Sequence, residues 1–249
     1  MAILICGPTT FADVDGVIFD KDGTLADSRP FLAELAEQRS RYVNQTAPGS
    51  FVPLMQAFGC ARDEMYPEGL MAVGSRQENL IVAAGFVAQS GCSWLEAMAA
   101  AAAAFEAASL AMGTKAERTP PFPGTAAMLS RLATSSVPLA ILSSDSQGEV
   151  DAFVERYQLQ PYLAGWLGTQ PTDPPKPNSE LLRRLCRRLR VDLTRIAVVG
   201  DTTVDREMAR LAQAKAFISV SSAWGGGAVD QADAVLDSWD DLRLVSDHP

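Results

Sequence analysis

The segment Val17-Ile18-Phe19-Asp20-Lys21-Asp22-Gly23-Thr24-Leu25 decides the reading of this chain. A short β-branched and aromatic run reads as a strand, and it leads straight into two carboxylates at i and i+2 before a glycine turn. In an open α/β sheet, ligands lie at the carboxyl ends of strands, which is where Asp20 and Asp22 fall. Side chains at i and i+2 of an extended segment point the same way, so both acids can face one ligand. Taken alone, the pattern also fits a solvated acidic turn.

The rest of the chain repeats the theme. Short apolar runs at 14–20, 137–143, 165–169, 195–200, 216–220 and 234–236 are each followed by turn residues and then by helical periodicity. That alternation predicts βαβ units around a parallel, doubly wound (Rossmann-like) sheet of α/β class. Val150, Phe153, Val154 and Tyr157 define one helix face, and Leu181, Leu182, Leu185 and Leu189 another, with Asn178 as its expected N-cap. Residues 29–118 differ: helical periodicity dominates, no strand is evident, and breaks fall at Pro48-Gly49 and Gly91. The stretch Thr119-Pro-Pro-Phe-Pro-Gly124 closes this segment as a stiff junction. The expected organisation is therefore a core of residues 1–28 and 119–249 interrupted by an all-helical insert at 29–118.

Composition narrows the chemistry. The 249 residues are 47% hydrophobic and 20% charged, a globular balance that excludes collagen, disorder throughout and a disulfide miniprotein. The net charge of −9 argues against a nucleic-acid or anionic-membrane surface. The single histidine, His248, lies one residue from the end, which removes Ser-His-Asp, Cys-His and His-ligated zinc chemistry and leaves carboxylates, hydroxyls and lysine. Cys6, Cys60, Cys92 and Cys186 are widely spaced and read as free thiols in a reducing, cytoplasmic setting. Residues 94–112 are apolar and alanine-rich, but Glu96 and Glu106 interrupt them, so a core helix is expected instead of a membrane span.

Three more segments carry suitable groups. Ile196-Ala-Val-Val-Gly200-Asp201-Thr-Thr-Val-Asp205 is a second strand ending in acids, Ile141-Leu-Ser143-Ser144 ends a third with hydroxyls, and Thr172-Asp-Pro-Pro-Lys176-Pro177 sets a lysine in a rigid loop. Hard oxygen ligands near a lysine suit Mg²⁺ with a phosphoryl group.

In this order, Asp20-x-Asp22-Gly-Thr24, Ser143, Lys176-Pro177 and Gly200-Asp201-Thr202-x-x-Asp205 resemble the four motifs of the haloacid dehalogenase-like hydrolase superfamily, in its phosphoglycolate-phosphatase-like branch. The helical insert sits between the first and second motifs, where that branch carries its C1-type cap. The resemblance implies a Mg²⁺-dependent phosphatase acting on a small phosphate monoester through an aspartyl-phosphate, with phosphoglycolate the leading substrate. It implies Asp20 as nucleophile, Asp22 as general acid and then base, and Ser143 and Lys176 on the phosphoryl group. Thr24 and Ser144 are expected near the substrate. The metal would take Asp20, the Asp22 carbonyl and Asp201, with Asp205 orienting that shell. Dehalogenases lack the second acid, so Asp22 favours phosphoryl transfer.

Sugar phosphomutases of the superfamily are the alternative enzyme, though they more often carry a branched aliphatic residue at the position of Thr24. A catalytically silent interaction protein on the same scaffold is the alternative outside enzymes. The prolines at 171, 174, 175 and 177 depart from relatives that often have glycine there, and the insert looks somewhat longer than usual. The expected partner is a small phosphorylated metabolite, with no nucleic acid and no membrane; oligomeric state is open.

Weaker features have bland readings beside the functional ones. Arg183-Arg-Leu-Cys-Arg-Arg188-Leu-Arg190 reads as the solvated face of a helix before it reads as a nucleic-acid site. Arg76 is either a surface residue or a cap residue that reaches the part of the substrate that does not react. Trp224-Gly-Gly-Gly227 is a tight turn near the sheet's carboxyl edge, shaping either the fold or a cavity mouth.

Overall fold

The computed structural model describes residues 2–61, 64–221 and 227–246; His248 and Trp224 lie outside them. The chain opens with β1 (Ala2–Cys6) and β2 (Thr9–Val14), then β3 (Gly16–Phe19), so the expected strand at 14–20 is the end of one strand and the whole of another, parted at Asp15. A helical segment follows: α1 (Arg29–Thr46), α2 (Phe51–Ala57), β4 (Cys60–Ala61), β5 (Glu64–Met65), α3 (Leu70–Val73), α4 (Arg76–Ala88), α5 (Trp94–Met112) and α6 (Lys115–Arg118). The remainder is α7 (Thr125–Leu132), β6 (Leu139–Ser146), α8 (Gln147–Arg156), β7 (Gly165–Thr169), α9 (Glu180–Leu189), β8 (Ile196–Gly200), α10 (Thr203–Ala212), β9 (Ala216–Val220), β10 (Ala234–Leu236) and β11 (Leu242–Ser246).

Six strands form one parallel sheet in the order β10-β9-β8-β3-β6-β7. β3, fully buried, is central, and chain order reverses around it, which is the topological switch at which open α/β sheets bind ligands. Its neighbours are in matching register: Phe19 stands opposite Val199 on β8 and Ile141 on β6. The residues one step further, Asp20, Gly200 and Leu142, therefore reach the carboxyl edge together. On one face Ile18, Ala140, Leu142, Leu167 and Val198 pack with Leu181, Leu182 and Leu185 of α9 and Met208 and Ala209 of α10. Burial of such a side chain contributes roughly 1.5–3 kcal/mol, so this layer anchors the strand ends that carry the acids.

A second sheet is absent from the sequence expectation. β1 lies between β2 and β11, antiparallel to both, and joins the chain's two ends.

The chain forms two compact units, Met1–Asp27 with Thr119–Pro249, and Ser28–Arg118. Within the second, α5 buries Ala97, Ala101, Phe105, Ala108 and Met112 and packs on α1 and α4. Among the described residues, this is the one helix long and apolar enough to cross a membrane. The insert departs from an all-helical reading at β4 and β5, a two-residue pairing too short to show as alternation. The cysteines are all free, and burial pushes the Cys6, Cys60 and Cys186 thiols up to about 11. The N-cap of α9 is Ser179 and not Asn178, whose side-chain oxygen accepts instead from the Glu180 amide at 2.9 Å.

Candidate active site

Asp20 follows the last residue of β3, and its amide donates to the Val199 carbonyl at 2.8 Å, which fixes it beside the end of β8. The chain then turns sharply: the Leu25 and Ala26 amides both donate to the Lys21 carbonyl at 2.9 Å, and Gly23 takes φ +81°, a conformation that disfavours any side chain. This turn brings Thr24 back under the sheet edge. Its hydroxyl donates to Asp201 Oδ1 at 2.9 Å, and the side chain is fully buried. Thr24, expected near the substrate, thus holds an acid in place.

Asp201 follows β8, and Asp205 sits in the first turn of α10, where Thr202 is the N-cap. Asp205 is brought close by Gly200: a Cβ at that position would lie 2.7 Å from the Asp205 Cβ, so only glycine allows the approach. The carboxylate oxygens of Asp20, Asp201 and Asp205 lie within 4.8 Å of one another, and all three residues are buried.

Lys176 stands among them. Its Nζ donates to Asp20 Oδ1 at 2.5 Å, Asp205 Oδ1 at 2.7 Å and the Leu142 carbonyl at 3.1 Å. Asp205 Oδ2 accepts from the Thr202 hydroxyl at 2.5 Å, so both Asp205 oxygens already have donors. The lysine is held by its loop, where the Asp173 carboxylate accepts the Gln170 amide at 2.8 Å and a two-pronged contact from Arg184, each prong 2.8 Å. Arg184 thus braces the lysine loop and is not simply solvated; Arg187 pairs with Glu180 at 2.9 Å. Neither contact is readable from the arginine-rich pattern.

The electrostatics follow from burial. Asp20 is pushed up to about 7, mainly by desolvation, with Lys176 opposing and Asp205 and Asp22 adding to the rise. Asp201 is raised well above the carboxylate range by desolvation and by its acidic neighbours. Burial alone would depress Lys176, but Asp20 and Asp205 outweigh it and hold the ammonium charged. Of the three buried carboxylates, Lys176 pairs with Asp20 and Asp205. A hard, divalent cation fits both the oxygen donor set and the uncompensated charge.

Ser143 is buried one residue beyond Leu142, the last position of regular β6–β7 pairing before the register shifts. Its Oγ accepts from the Asp145 amide at 3.1 Å. Ser144 is exposed at the next position. Asp22 is half-buried, and its carboxylate pairs with Lys21 Nζ at 2.5 Å. Arg76 belongs to the other unit, exposed as the first residue of α4. The core unit therefore brings Asp20, Thr24, Lys176, Asp201 and Asp205 together through their side chains, and Arg76 is not a member of that set. A cavity of about 290 Å³ opens beside the turn, lined in part by Gly23, Thr24, Phe122, Asp237 and Trp239. Its walls include neither Asp20 nor Lys176, so it adjoins the cluster without containing it.

Comparison with known proteins identifies the family. The sequence model of the haloacid dehalogenase-like hydrolases matches residues 14–213, and the chain belongs to that family of hydrolases. Among solved structures, it resembles a predicted phosphoglycolate phosphatase from Haemophilus somnus 129PT, with 17% identity and TM-score 0.69, over 93% of this chain and 97% of that one. A protein from Thermotoga maritima assigned as a beta-phosphoglucomutase has 20% identity and TM-score 0.56, over 90% and 94% of the two chains. A HAD family hydrolase from Deinococcus radiodurans R1, solved with bound phosphate and sodium, has 20% identity and TM-score 0.57, over 92% and 93%. At these identities the likeness is one of fold. A comparison with curated protein sequences found no match.

Proposed function

We propose that this hydrolase is a Mg²⁺-dependent phosphatase that cleaves a small phosphate monoester through an aspartyl-phosphate on Asp20. The observation that carries the reading is the Asp20 carboxylate, buried at the central strand end with Lys176 on one oxygen and Asp201 and Asp205 beside it. A carboxylate placed there splits one difficult displacement into two easier ones. An Asp20 oxygen attacks phosphorus, the ester P–O bond breaks, and the departing alkoxide takes a proton from Asp22. Asp22 then removes a proton from water, whose oxygen attacks the same phosphorus, releasing phosphate and the Asp20 carboxylate.

Lys176 fixes the Asp20 carboxylate and offsets charge gathering on the phosphoryl oxygens, to which the Ser143 hydroxyl also donates. Thr24 and Asp205 keep Asp201 and Lys176 in register. Asp20, Asp201 and the Asp22 carbonyl would hold the Mg²⁺, with Asp205 behind them, since its oxygens already serve Lys176 and Thr202. The bound cation supplies the positive charge that lets Asp20 and Asp201 stay ionised together at neutral pH.

Residues 29–118 are assigned to substrate choice as a cap, with Arg76 as the residue that selects the non-reacting end of the substrate. Phosphoglycolate is the first substrate to try. The test is a panel of phosphate esters with Mg²⁺, then with excess chelator. Phosphate release that stops with chelator and returns with Mg²⁺ supports the reading, and full activity in chelator removes the metal from it. Hydrolysis in ¹⁸O-water puts the label into the released phosphate, whereas conversion of a sugar phosphate into its isomer with no phosphate released would point to transfer between sugars instead.

A further inference from the structure

The turn after β3 holds a second buried lysine. Lys21 is 1% exposed, deeper than Lys176, and in sequence it lies between Asp20 and Asp22. Its Nζ lies 2.5 Å from Asp22 Oδ1 and 2.9 Å from Asp145 Oδ2, and 5.2 Å from the centroid of the Phe153 ring on α8. The carboxyl edge therefore carries two Asp–Lys–Asp bridges. Lys176 joins Asp20 to Asp205, and Lys21 joins Asp22 to Asp145.

The second bridge has a clear geometric consequence. Asp22 is one-fifth exposed and lies on a turn, and the Lys21 contact ties one of its carboxylate oxygens to a fully enclosed ammonium. Asp145 is better enclosed, near the end of β6, and its amide is tied to Ser143 Oγ. Phe153 closes over the ammonium and leaves it little freedom to follow Asp22 elsewhere. The fixed end of the bridge is Asp145, and the end that it steadies is Asp22.

We propose that Lys21, anchored by Asp145, is a positioning residue that sets where the Asp22 carboxyl stands during proton transfer. This rests on the reading of Asp22 as the group that gives and takes the proton. The contacts of Lys21 are with Asp22, Asp145 and Phe153, so its effect on turnover passes through Asp22. A misplacement of about 1 Å at such a group can cost on the order of a hundredfold in rate. Burying an ammonium is otherwise costly, and a bridge that only held the turn together would need the same two partners. The two roles differ in what happens once Asp22 is removed.

The experiment is a double-mutant cycle on 4-nitrophenyl phosphate with Mg²⁺, whose good leaving group keeps residual rates measurable. Lys21→Met should lower kcat by about 10- to 100-fold with KM changed less than about twofold. In the Asp22→Asn background the same change should cost less than about twofold, because the group that it positions is gone. Thermal unfolding reports whether each variant is folded. If Lys21→Met does not fold, Asp145→Asn replaces it in the cycle, removing a charge with no loss of volume, and should show a smaller loss that likewise disappears beside Asp22→Asn. Losses that multiply in both backgrounds, or an unchanged kcat, overturn the proposal. Full activity in Asp22→Asn alone would instead refute the role of Asp22 itself.

Discussion

Replacing Lys176 by Met deletes the cation that stands between two buried carboxylates while keeping most of its volume. At 2.5 Å from Asp20 and 2.7 Å from Asp205, each contact is worth about 6 kcal/mol before desolvation at an effective dielectric near 20. Burial cancels much of that, and removing one partner of a buried pair typically costs about 3–5 kcal/mol. Against a whole-domain stability of roughly 5–15 kcal/mol, the loss is large but survivable. It should also depend on pH. Asp20 is already raised toward 7 with the lysine present, and losing the lysine raises it further. A raised folded-state pKa gives stability at low pH that is lost as pH climbs through that pKa, so the variant suffers most where the acids must ionise. Urea unfolding without divalent ions, followed by fluorescence and circular dichroism, should show a loss of more than about 3 kcal/mol at pH 8, and less than half of that at pH 5.5. An equal loss at both pH values, or one below about 1 kcal/mol at pH 8, would refute the argument that Lys176 is held by charge.

Other consequences are simpler to measure. Gly200→Ala would drive a methyl group to 2.7 Å from the Asp205 Cβ, so it should destabilise by about 1–3 kcal/mol in thermal unfolding and weaken Mg²⁺ activation; a stable variant with normal activation would contradict the close approach. Metal-free wild type should melt at a lower temperature at pH 8 than at pH 5.5, since Asp20 and Asp201 are raised, and Mg²⁺ should restore more at pH 8 than at pH 5.5. The reverse order would mean that the acids are not strained by burial. Arg76→Ala should reorder kcat/KM among natural phosphate esters and leave a small aryl phosphate nearly unchanged; an equal change on all substrates would give Arg76 a structural role.

What is legible in the chain depends on how local the determining contacts are. The runs at 165–169, 216–220 and 234–236 emerge as strands over those same residues, because buried parallel strands are short apolar segments bounded by turns. The antiparallel β1–β2–β11 sheet is hidden from such a reading because Ala2–Cys6 becomes a strand by pairing with Leu242–Ser246, at the other end of the chain. The site shows the same division. Strand-end acids and a loop lysine can be recognised as chemical groups one at a time. Spacing does not reveal that Lys176 stands between Asp20 and Asp205, that Thr24 turns inward to Asp201, or that Arg184 braces the lysine loop through Asp173. Lys21 carries one sign in the sequence: a lysine between two acids just beyond an apolar strand, where an ammonium must find anionic partners if it is buried.

The central claim is that phosphorus is bonded to Asp20 during turnover. The most direct test mixes the enzyme with an active phosphate ester and Mg²⁺, quenches in acid within one turnover, and maps the phosphoryl group by peptide mass spectrometry. The account predicts a phosphoryl adduct on Asp20 that forms and decays at rates compatible with kcat and is absent from Asp20→Asn, whose turnover should fall by several orders of magnitude. Phosphate release with no adduct on any residue, an adduct elsewhere, or more than about a tenth of the activity surviving in Asp20→Asn would contradict it.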